Sequence, residues 1–248
     1  MALNALNMWY ETTFARRLQA KIAQKLGEVL TKIPAGELLH LGVGGFEETL
    51  AGRQRERMIF FTDVACEHLL SAEENLLPLK SETHDCVVLL HALDVATNPH
   101  TVLREVSRIN SKGGYVVVVG FNLFSSWGLY RSTIRISKWG KQPPWSLQFY
   151  SLSRLKDWFA LLGYEVGVTQ TLNYQPLLQH ERFAALFEPV NSLGRFVLPW
   201  CGNIYVIVAQ KSTLPLTPVK SQWKLKRQPL KSHIAEPSIS NPASSSTL

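Results

Sequence analysis

The sequence predicts an α/β fold, with a mostly parallel sheet that carries helices on both of its faces. Four short apolar runs, at residues 38–43, 58–62, 86–90 and 115–119, are continuous rather than alternating. Such runs are typical of strands that are buried on both faces of a sheet. Amphipathic helical patterns lie before and between these runs, and strands that alternate with helices form parallel sheets through crossover connections.

The first helical pattern covers residues 15–32 and precedes the first strand. Its apolar side chains recur at helical spacing, at Leu18, Ile22, Leu26, Val29 and Leu30. We expect the helix to end before Pro34 and Gly36, because proline and glycine do not continue a helix.

Two further helices are indicated by their terminal residues. Asn98 can cap a helix that has Pro99 in its first turn, and Gly113-Gly114 is predicted to end the turn that follows this helix. Another helix is predicted over residues 153–162, with Gly163 at its C-terminal end.

The last two strands are predicted at residues 164–170 and 204–211. The main domain therefore covers residues 38–211, after an N-terminal helical segment at 1–37. Two segments are interpreted as insertions in this domain, at about 121–150 and 171–203, and the second is expected to hold a helix near 181–187.

The positive charge of the chain is concentrated at its C-terminal end. The net charge is +7, and six lysine or arginine side chains against one glutamate lie from Lys211 onward, so that five of the seven charges belong to this end. The segment 212–248 is rich in Pro, Ser and Lys and is predicted to be a disordered basic tail. Because the rest of the chain is nearly neutral, nucleic acid is not favoured as a partner, although the tail leaves it open.

Composition argues against several other classes of protein. No apolar run reaches the ~18 residues that a membrane-spanning helix needs. The N-terminus lacks the basic and apolar regions of a signal peptide. The three cysteines are scattered without a Cys-x-x-Cys pair, so we expect no disulfide framework and no metal site. We therefore expect a cytoplasmic protein.

Three features at the ends of the predicted strands indicate a ligand site. Glycines at positions 42, 44 and 45 follow the first strand, where they would let a ligand approach the backbone. Asp63 follows the second strand and could accept hydrogen bonds from the ribose of a nucleoside cofactor. Leu90 and His91 end the third strand, and ligands bind at the carboxyl ends of strands in open α/β sheets.

The stretch Asp85–Gly120, together with Leu77-Pro78 before it, resembles the type 11 branch of the class I S-adenosylmethionine-dependent methyltransferases. The resemblance is carried by Leu77-Pro78, Asp85, the apolar strand 86–90, Leu103-Arg104-Glu105-Val106-Ser107-Arg108, Gly113-Gly114 and the strand 115–119. The chain is more similar still to one bacterial subgroup of this branch, by the motifs His91-Ala92-Leu93-Asp94, Asn98-Pro99-His100, Gly120-Phe121-Asn122, Ser126-Trp127-Gly128-Leu129, Arg154-Leu155-Lys156-Asp157-Trp158 and the strand 205–211.

The resemblance implies a Rossmann-like sheet of seven strands with an antiparallel final hairpin, and S-adenosylmethionine as the cofactor. It implies the following cofactor contacts: Gly42, Gly44 and Gly45 at the methionine part, Asp63 at the ribose, Glu73 or Glu74 at the adenine, and Leu90 and His91 at the floor of the pocket.

The chain departs from the family pattern at the glycine motif. His40 stands where the family has an acidic residue, and Phe46 stands where the family has its last glycine. Only 15 residues separate Asp63 from Pro78, which is short for a helix and a strand, so we expect a helix to be missing there. These departures favour a second hypothesis, a catalytically silent relative that binds a ligand or a partner.

A methyltransferase aligns its acceptor with the methyl donor and needs a base only when the acceptor holds its proton. His91 is the first candidate for this base and Asp94 is the second, since an ordinary imidazole accepts a proton near neutral pH. Asn122, Trp127 and Tyr150 are candidate substrate contacts, because the aromatic segment 121–150 could cover a small acceptor. Packing of these aromatic side chains in the core is the alternative.

Overall fold

In the residues that the computed structural model describes, the sheet contains six strands in the order β2-β1-β3-β4-β6-β5. The strands are β1 (Leu38–Gly42), β2 (Met58–Phe61), β3 (His84–Leu90), β4 (Asn110–Phe121), β5 (Tyr164–Leu172) and β6 (Ile204–Lys211). The first four pair in parallel, and β6 pairs antiparallel with both β4 and β5. The structure describes residues 2–51, 58–61, 77, 79–134, 142–175 and 198–212, all within one compact unit, Met1–Thr213.

Seven helices accompany these strands in the described ranges. They are α1 (Ala2–Tyr10), α2 (Thr13–Leu30), α3 (Glu47–Ala51), α4 (Ala92–Val95), α5 (Pro99–Ile109), α6 (Ser126–Ile134) and α7 (Leu152–Leu161). Three of them begin at a side-chain cap: Thr12 before α2, Asn98 before α5 and Ser151 before α7 each accept a hydrogen bond from a backbone amide of the first turn.

The α/β class that the sequence predicts and the antiparallel final hairpin that the resemblance implies are confirmed. Six strands lie in the described residues, so a sheet of seven strands stays a prediction. The segment 62–76, where we expected a helix to be missing, lies outside these residues, and so do the predicted helix near 181–187 and the tail.

Two elements differ from their predictions. Helix α1 has no counterpart in the sequence analysis. Strand β4 begins at Asn110 and takes in Gly113-Gly114, which we predicted to end a turn. The pairing with β3 shifts here, from His84 opposite Asn110 to Cys86 opposite Tyr115, so the extra residues form a bulge in β4.

The centre of the sheet is fully buried. Every residue of β1 is buried, and Val116 to Val119 of β4 are at most 1% exposed. The predicted apolar stripe of α2 packs against this core, since all five of its members are buried. Adjacent residues in a strand point to opposite faces, so burial of both Val117 and Val118 shows that β4 is covered on both sides.

Candidate active site

The predicted glycine turn and the end of the third strand lie side by side. Gly42 pairs with Leu90, and the amide of Val43 donates a hydrogen bond of 2.9 Å to the Leu90 carbonyl. Gly42 has a φ of +120°, and a Cβ atom at this position would lie 1.9 Å from the Leu90 carbonyl oxygen. The close contact between β1 and β3 therefore requires glycine here.

Three backbone groups of the glycine turn form hydrogen bonds with side chains of three different helices. The amide of Gly44 donates to Asn7 Oδ1 of α1 over 3.2 Å. The carbonyl of Gly45 accepts from Gln19 Nε2 of α2 over 2.8 Å, and the amide of Gly45 donates to Glu47 Oε1 over 2.9 Å. In the conformation described, the backbone groups that would face a cofactor are thus hydrogen-bonded to side chains of the same protein.

The two departures from the family pattern are both buried. Phe46 is 1% exposed, and its ring lies edge-on to that of Tyr10 with 6.2 Å between the ring centroids. His40 is fully buried in β1, and this burial lowers the pKa of its imidazole to about 4, against the smaller opposing effects of Glu47 and the Val43 backbone.

His91 is the centre of a buried hydrogen-bonded chain of three side chains. It follows β3 directly and takes a left-handed backbone conformation, with a φ of 55°. Its Nδ1 atom lies 2.8 Å from Asp94 Oδ2, and its Nε2 atom lies 2.6 Å from the hydroxyl oxygen of Tyr10. All three residues are at most 3% exposed. The two candidate bases are therefore hydrogen-bonded to each other, and Tyr10 is the third member of the chain.

Asp94 is held by β4 as well as by His91. Its Oδ2 atom also accepts a hydrogen bond of 3.0 Å from the amide of Phe121. Its burial raises the pKa of the carboxyl, while the hydrogen bond and charge of His91 act in the opposite direction. Burial and, next to it, the charge of Asp94 raise the pKa of the Tyr10 phenol well above its ordinary value.

Of the three candidate substrate contacts, Asn122 has its side chain fully engaged with the backbone. Its Nδ2 atom donates to the carbonyls of Trp200 and Gly202 over 2.7 and 2.9 Å, and its Oδ1 atom accepts from the amide of Phe124 over 3.1 Å. This arrangement orders the chain after β4, so a direct substrate contact through Asn122 stays a prediction.

Trp127 and Tyr150 lie near the end of β4. Trp127 is fully buried and donates from Nε1 to the carbonyl of Gln175 over 3.1 Å. Tyr150 pairs with Asn122 in an isolated parallel bridge, and its burial raises the pKa of its phenol to about 12. The structure brings all three candidates together beyond the carboxyl end of β4.

Aromatic rings form a continuous cluster around His91. Phe121 lies tilted against the imidazole with 4.3 Å between the ring centroids. The rings that extend the cluster from Phe121 are Trp9, Trp127 and Phe149, at centroid distances of 6.2, 6.1 and 5.0 Å. Most of these side chains pack on one another, which agrees with the alternative that the aromatic residues form part of the core rather than a cover over the substrate.

Several predicted site residues lie outside the described part of the chain, namely Asp63, Glu73 and Glu74. The structure adds residues that sequence reasoning missed: Asn7 and Tyr10 of α1, and Gln19 of α2. The only local signal for α1 was the spacing of Leu3, Leu6 and Tyr10, which is helical but covers little more than two turns.

Among the described residues, no group of three or more His, Cys, Asp or Glu side chains is arranged to hold a metal ion. Within the same ranges, the helices are too short or too polar for one of them to cross a membrane.

A family model described as a methyltransferase domain, of type 11, matches residues 48–118. The match begins after the glycine turn, so it does not include His40 or Phe46. The chain is 28% identical to the uncharacterised protein YafS of Escherichia coli (strain K12) over 217 residues. The alignment covers 86% of this chain and 84% of YafS.

Two solved structures of similar fold are described as S-adenosylmethionine-dependent methyltransferases. One from Thermotoga maritima, described as a possible histamine N-methyltransferase, has a TM-score of 0.55 and 21% identity over 85% of this chain and 96% of its own. Another, from Archaeoglobus fulgidus, has a TM-score of 0.51 and 16% identity over 77% of this chain and 94% of its own. At these identities the likeness shows the fold.

Proposed function

We propose that this chain is a class I S-adenosylmethionine-dependent methyltransferase of the type 11 branch and that it methylates a small molecule with S-adenosylmethionine as the donor. The observation that carries the proposal is the position of His91. It lies at the carboxyl end of β3, beside the glycine turn of β1, and is hydrogen-bonded to a buried carboxylate. Ligands of open α/β sheets bind at this edge.

His91 is suited to take a proton from the molecule that accepts the methyl group. Asp94 Oδ2 accepts a hydrogen bond from the Phe121 amide. We infer that the same oxygen also accepts the hydrogen bond from His91, so that the Nδ1 atom of His91 carries the hydrogen. The Nε2 atom of His91 then has a lone pair, to which the hydroxyl or amine group of a methyl acceptor can donate a hydrogen bond. Asp94 fixes the tautomer and stabilises the imidazolium that forms when the proton is taken. The cofactor supplies the methyl group.

Three regions are proposed to hold the cofactor: the glycine turn at Gly42, Gly44 and Gly45, Asp63 at the ribose, and Glu73 or Glu74 at the adenine. Leu90 and His91 would form the floor. In the conformation described, Asn7, Gln19 and Glu47 are hydrogen-bonded to the turn and the Phe46 ring is buried against Tyr10, so this conformation does not fit the methionine part of the cofactor. Binding requires a rearrangement here.

The second candidate function is a silent relative that binds a ligand or a partner without methyl transfer. The burial of Phe46 against Tyr10 favours it, because this ring adds bulk at the turn where the family has glycine.

Titration calorimetry with S-adenosylmethionine and S-adenosylhomocysteine tests the proposal. We expect both to bind, and Asp63→Ala to weaken binding by about a hundredfold, since two charge-assisted hydrogen bonds are lost. Asp157→Ala, an exposed aspartate of α7, is the matched control and should bind as the native chain does. If the Asp63→Ala variant binds S-adenosylmethionine as tightly as the native chain does, Asp63 is not part of the cofactor site.

A further inference from the structure

We propose that helix α1 is an autoinhibitory lid, which closes the site by holding the glycine turn with Asn7 and His91 with Tyr10. The inference rests on the proposed function, because it identifies what must move before the cofactor and the acceptor can bind. Both anchor points of the helix are positions that the proposed reaction needs, the Gly44 amide and the Nε2 atom of His91.

Asn7 occupies the first of these positions. Its Oδ1 atom accepts the hydrogen bond of the Gly44 amide at 3.2 Å. An amide in such a turn has a single hydrogen to donate. A ligand that uses this amide must therefore displace the Asn7 side chain.

Tyr10 occupies the second position. Since the Nδ1 atom of His91 donates to Asp94, the Nε2 atom accepts the hydroxyl hydrogen of Tyr10 at 2.6 Å. A neutral imidazole has one lone pair for this purpose, so the Tyr10 hydroxyl and a methyl acceptor compete for the same atom. The phenol of Tyr10 thus takes the place of an acceptor that carries a hydroxyl or amine group.

The fold allows α1 to leave without unfolding α2. Helix α2 has its own N-cap, because Thr12 Oγ1 accepts the hydrogen bond of the Ala15 amide. Only residues 11 and 12 connect the two helices. The outer face of α1 is open to solvent, with Met8 70% exposed, so the helix is held from one side. Its buried apolar contacts, through Leu3 and Leu6, keep it closed together with the two polar anchors.

The first arm of the test measures the accessibility of His91 without any cofactor. Diethyl pyrocarbonate modifies accessible imidazole nitrogens, and peptide mapping by mass spectrometry gives the rate at His91. We expect the Asn7→Ala/Tyr10→Phe variant to react about tenfold faster than the native chain, since two hydrogen bonds that hold the lid are lost. Asn4→Ala, an exposed asparagine of the same helix, is the control and should react at the native rate.

The second arm measures the affinity for S-adenosylhomocysteine by calorimetry on the same three proteins. We expect about tenfold tighter binding by the double variant, because a larger fraction of it has an open site. Circular dichroism and the melting temperature establish that the double variant is folded. If it is not, Tyr10→Phe alone, which keeps the ring in the core, replaces it in both arms.

The outcomes separate the lid from the proposed function. An unchanged rate at His91 would overturn the lid. Faster modification together with weaker binding would also overturn it, because Asn7 and Tyr10 would then be ligands of the cofactor. Faster modification with no binding of S-adenosylhomocysteine to any of the proteins at millimolar concentration would refute the proposed function, while it would still support α1 as the cover of His91.

Discussion

Gly120 of β4 lies directly against the hydroxyl of Tyr205 in the neighbouring strand. The two residues are paired across β4 and β6, and a Cβ atom on Gly120 would lie 2.2 Å from the Tyr205 oxygen and 2.9 Å from Asp94 Oδ1. Burial, followed by the charge of Asp94, raises the pKa of the Tyr205 phenol well above its ordinary value. The absence of a side chain at position 120 therefore makes room for the carboxylate that orients His91.

Substitution of Gly120 by alanine should destabilise the protein by about 1–3 kcal/mol, the usual cost of an added group in a packed core. Neither Tyr205 nor Asp94 can move outward easily, since both are at most 1% exposed. Urea denaturation measures the free energy of unfolding. Gly167→Ala in β5 is the matched control, because nothing lies within 4 Å of a Cβ atom there, and it should change stability little. Equal effects of the two substitutions would contradict the argument.

His40 should make the protein sensitive to acid. Its pKa is about 4 in the folded state, against about 6.5 in the unfolded chain. As the pH falls from about 6.5 towards 4, the unfolded state takes up a proton that the folded state does not, so the free energy of unfolding decreases. At pH 4.5 the loss amounts to at most about 3 kcal/mol.

Urea denaturation at pH 7.5 and 4.5 measures this loss, which should be smaller in a His40→Leu variant. The control is His100→Gln, which changes an exposed histidine and should keep the native loss. If His40→Leu loses as much stability between the two pH values as the native chain, then His40 is not the source of the acid sensitivity.

Val117→Asp or Val118→Asp should each prevent stable folding, because either change buries an unpaired charge in the part of β4 that is covered on both faces. We expect losses of several kcal/mol, read from the melting temperature or from the loss of soluble protein. Lys112→Asp changes a side chain that is 77% exposed on the same strand, and it should fold normally. A stable Val118→Asp protein would show that one face of β4 is open.

Phe46→Ala should cost about 3–5 kcal/mol of stability, since the ring is fully buried. Phe124→Ala removes a ring that is 66% exposed and should cost much less. Thermal denaturation compares the two. A small effect at Phe46 would mean that the ring leaves its contact with Tyr10 readily, which would weaken the case for a silent relative.

Truncation after Val219 should leave the melting temperature almost unchanged. The prediction comes from composition, because the residues removed include few large apolar side chains apart from Trp223 and Leu225. A drop of many degrees would instead show that these residues contribute to the folded unit.

Much of the fold could be predicted from local patterns, while parts of the site could not. The apolar strands and the cap at Asn98 are local signals, and both were identified correctly. His91 and Asp94 were singled out separately, as the first and second candidates for the base, while the hydrogen bond between them was not predicted. Strand β4 was predicted too short, since its first residues, with Gly113 at a φ of 75°, have the composition of a turn.

Helix α1 was missed because tertiary contacts stabilise it. A helix of 9 residues is marginal by itself, and its apolar positions gain their stability only from the core that they join. The bond between Tyr10 and His91 spans 81 residues of sequence, so no local pattern indicates it.

The position of β6 has a consequence for folding during synthesis. Of the six strands in the described residues, this one comes last in sequence, yet it lies inside the sheet, between β4 and β5. A nascent chain that ends before Ile204 therefore leaves β5 without the strand that it pairs with here and β4 with one side of its backbone unpaired, and both are edges to which other chains can add. The time between the synthesis of β5 and that of β6 is when this polypeptide most needs protection from aggregation on the ribosome.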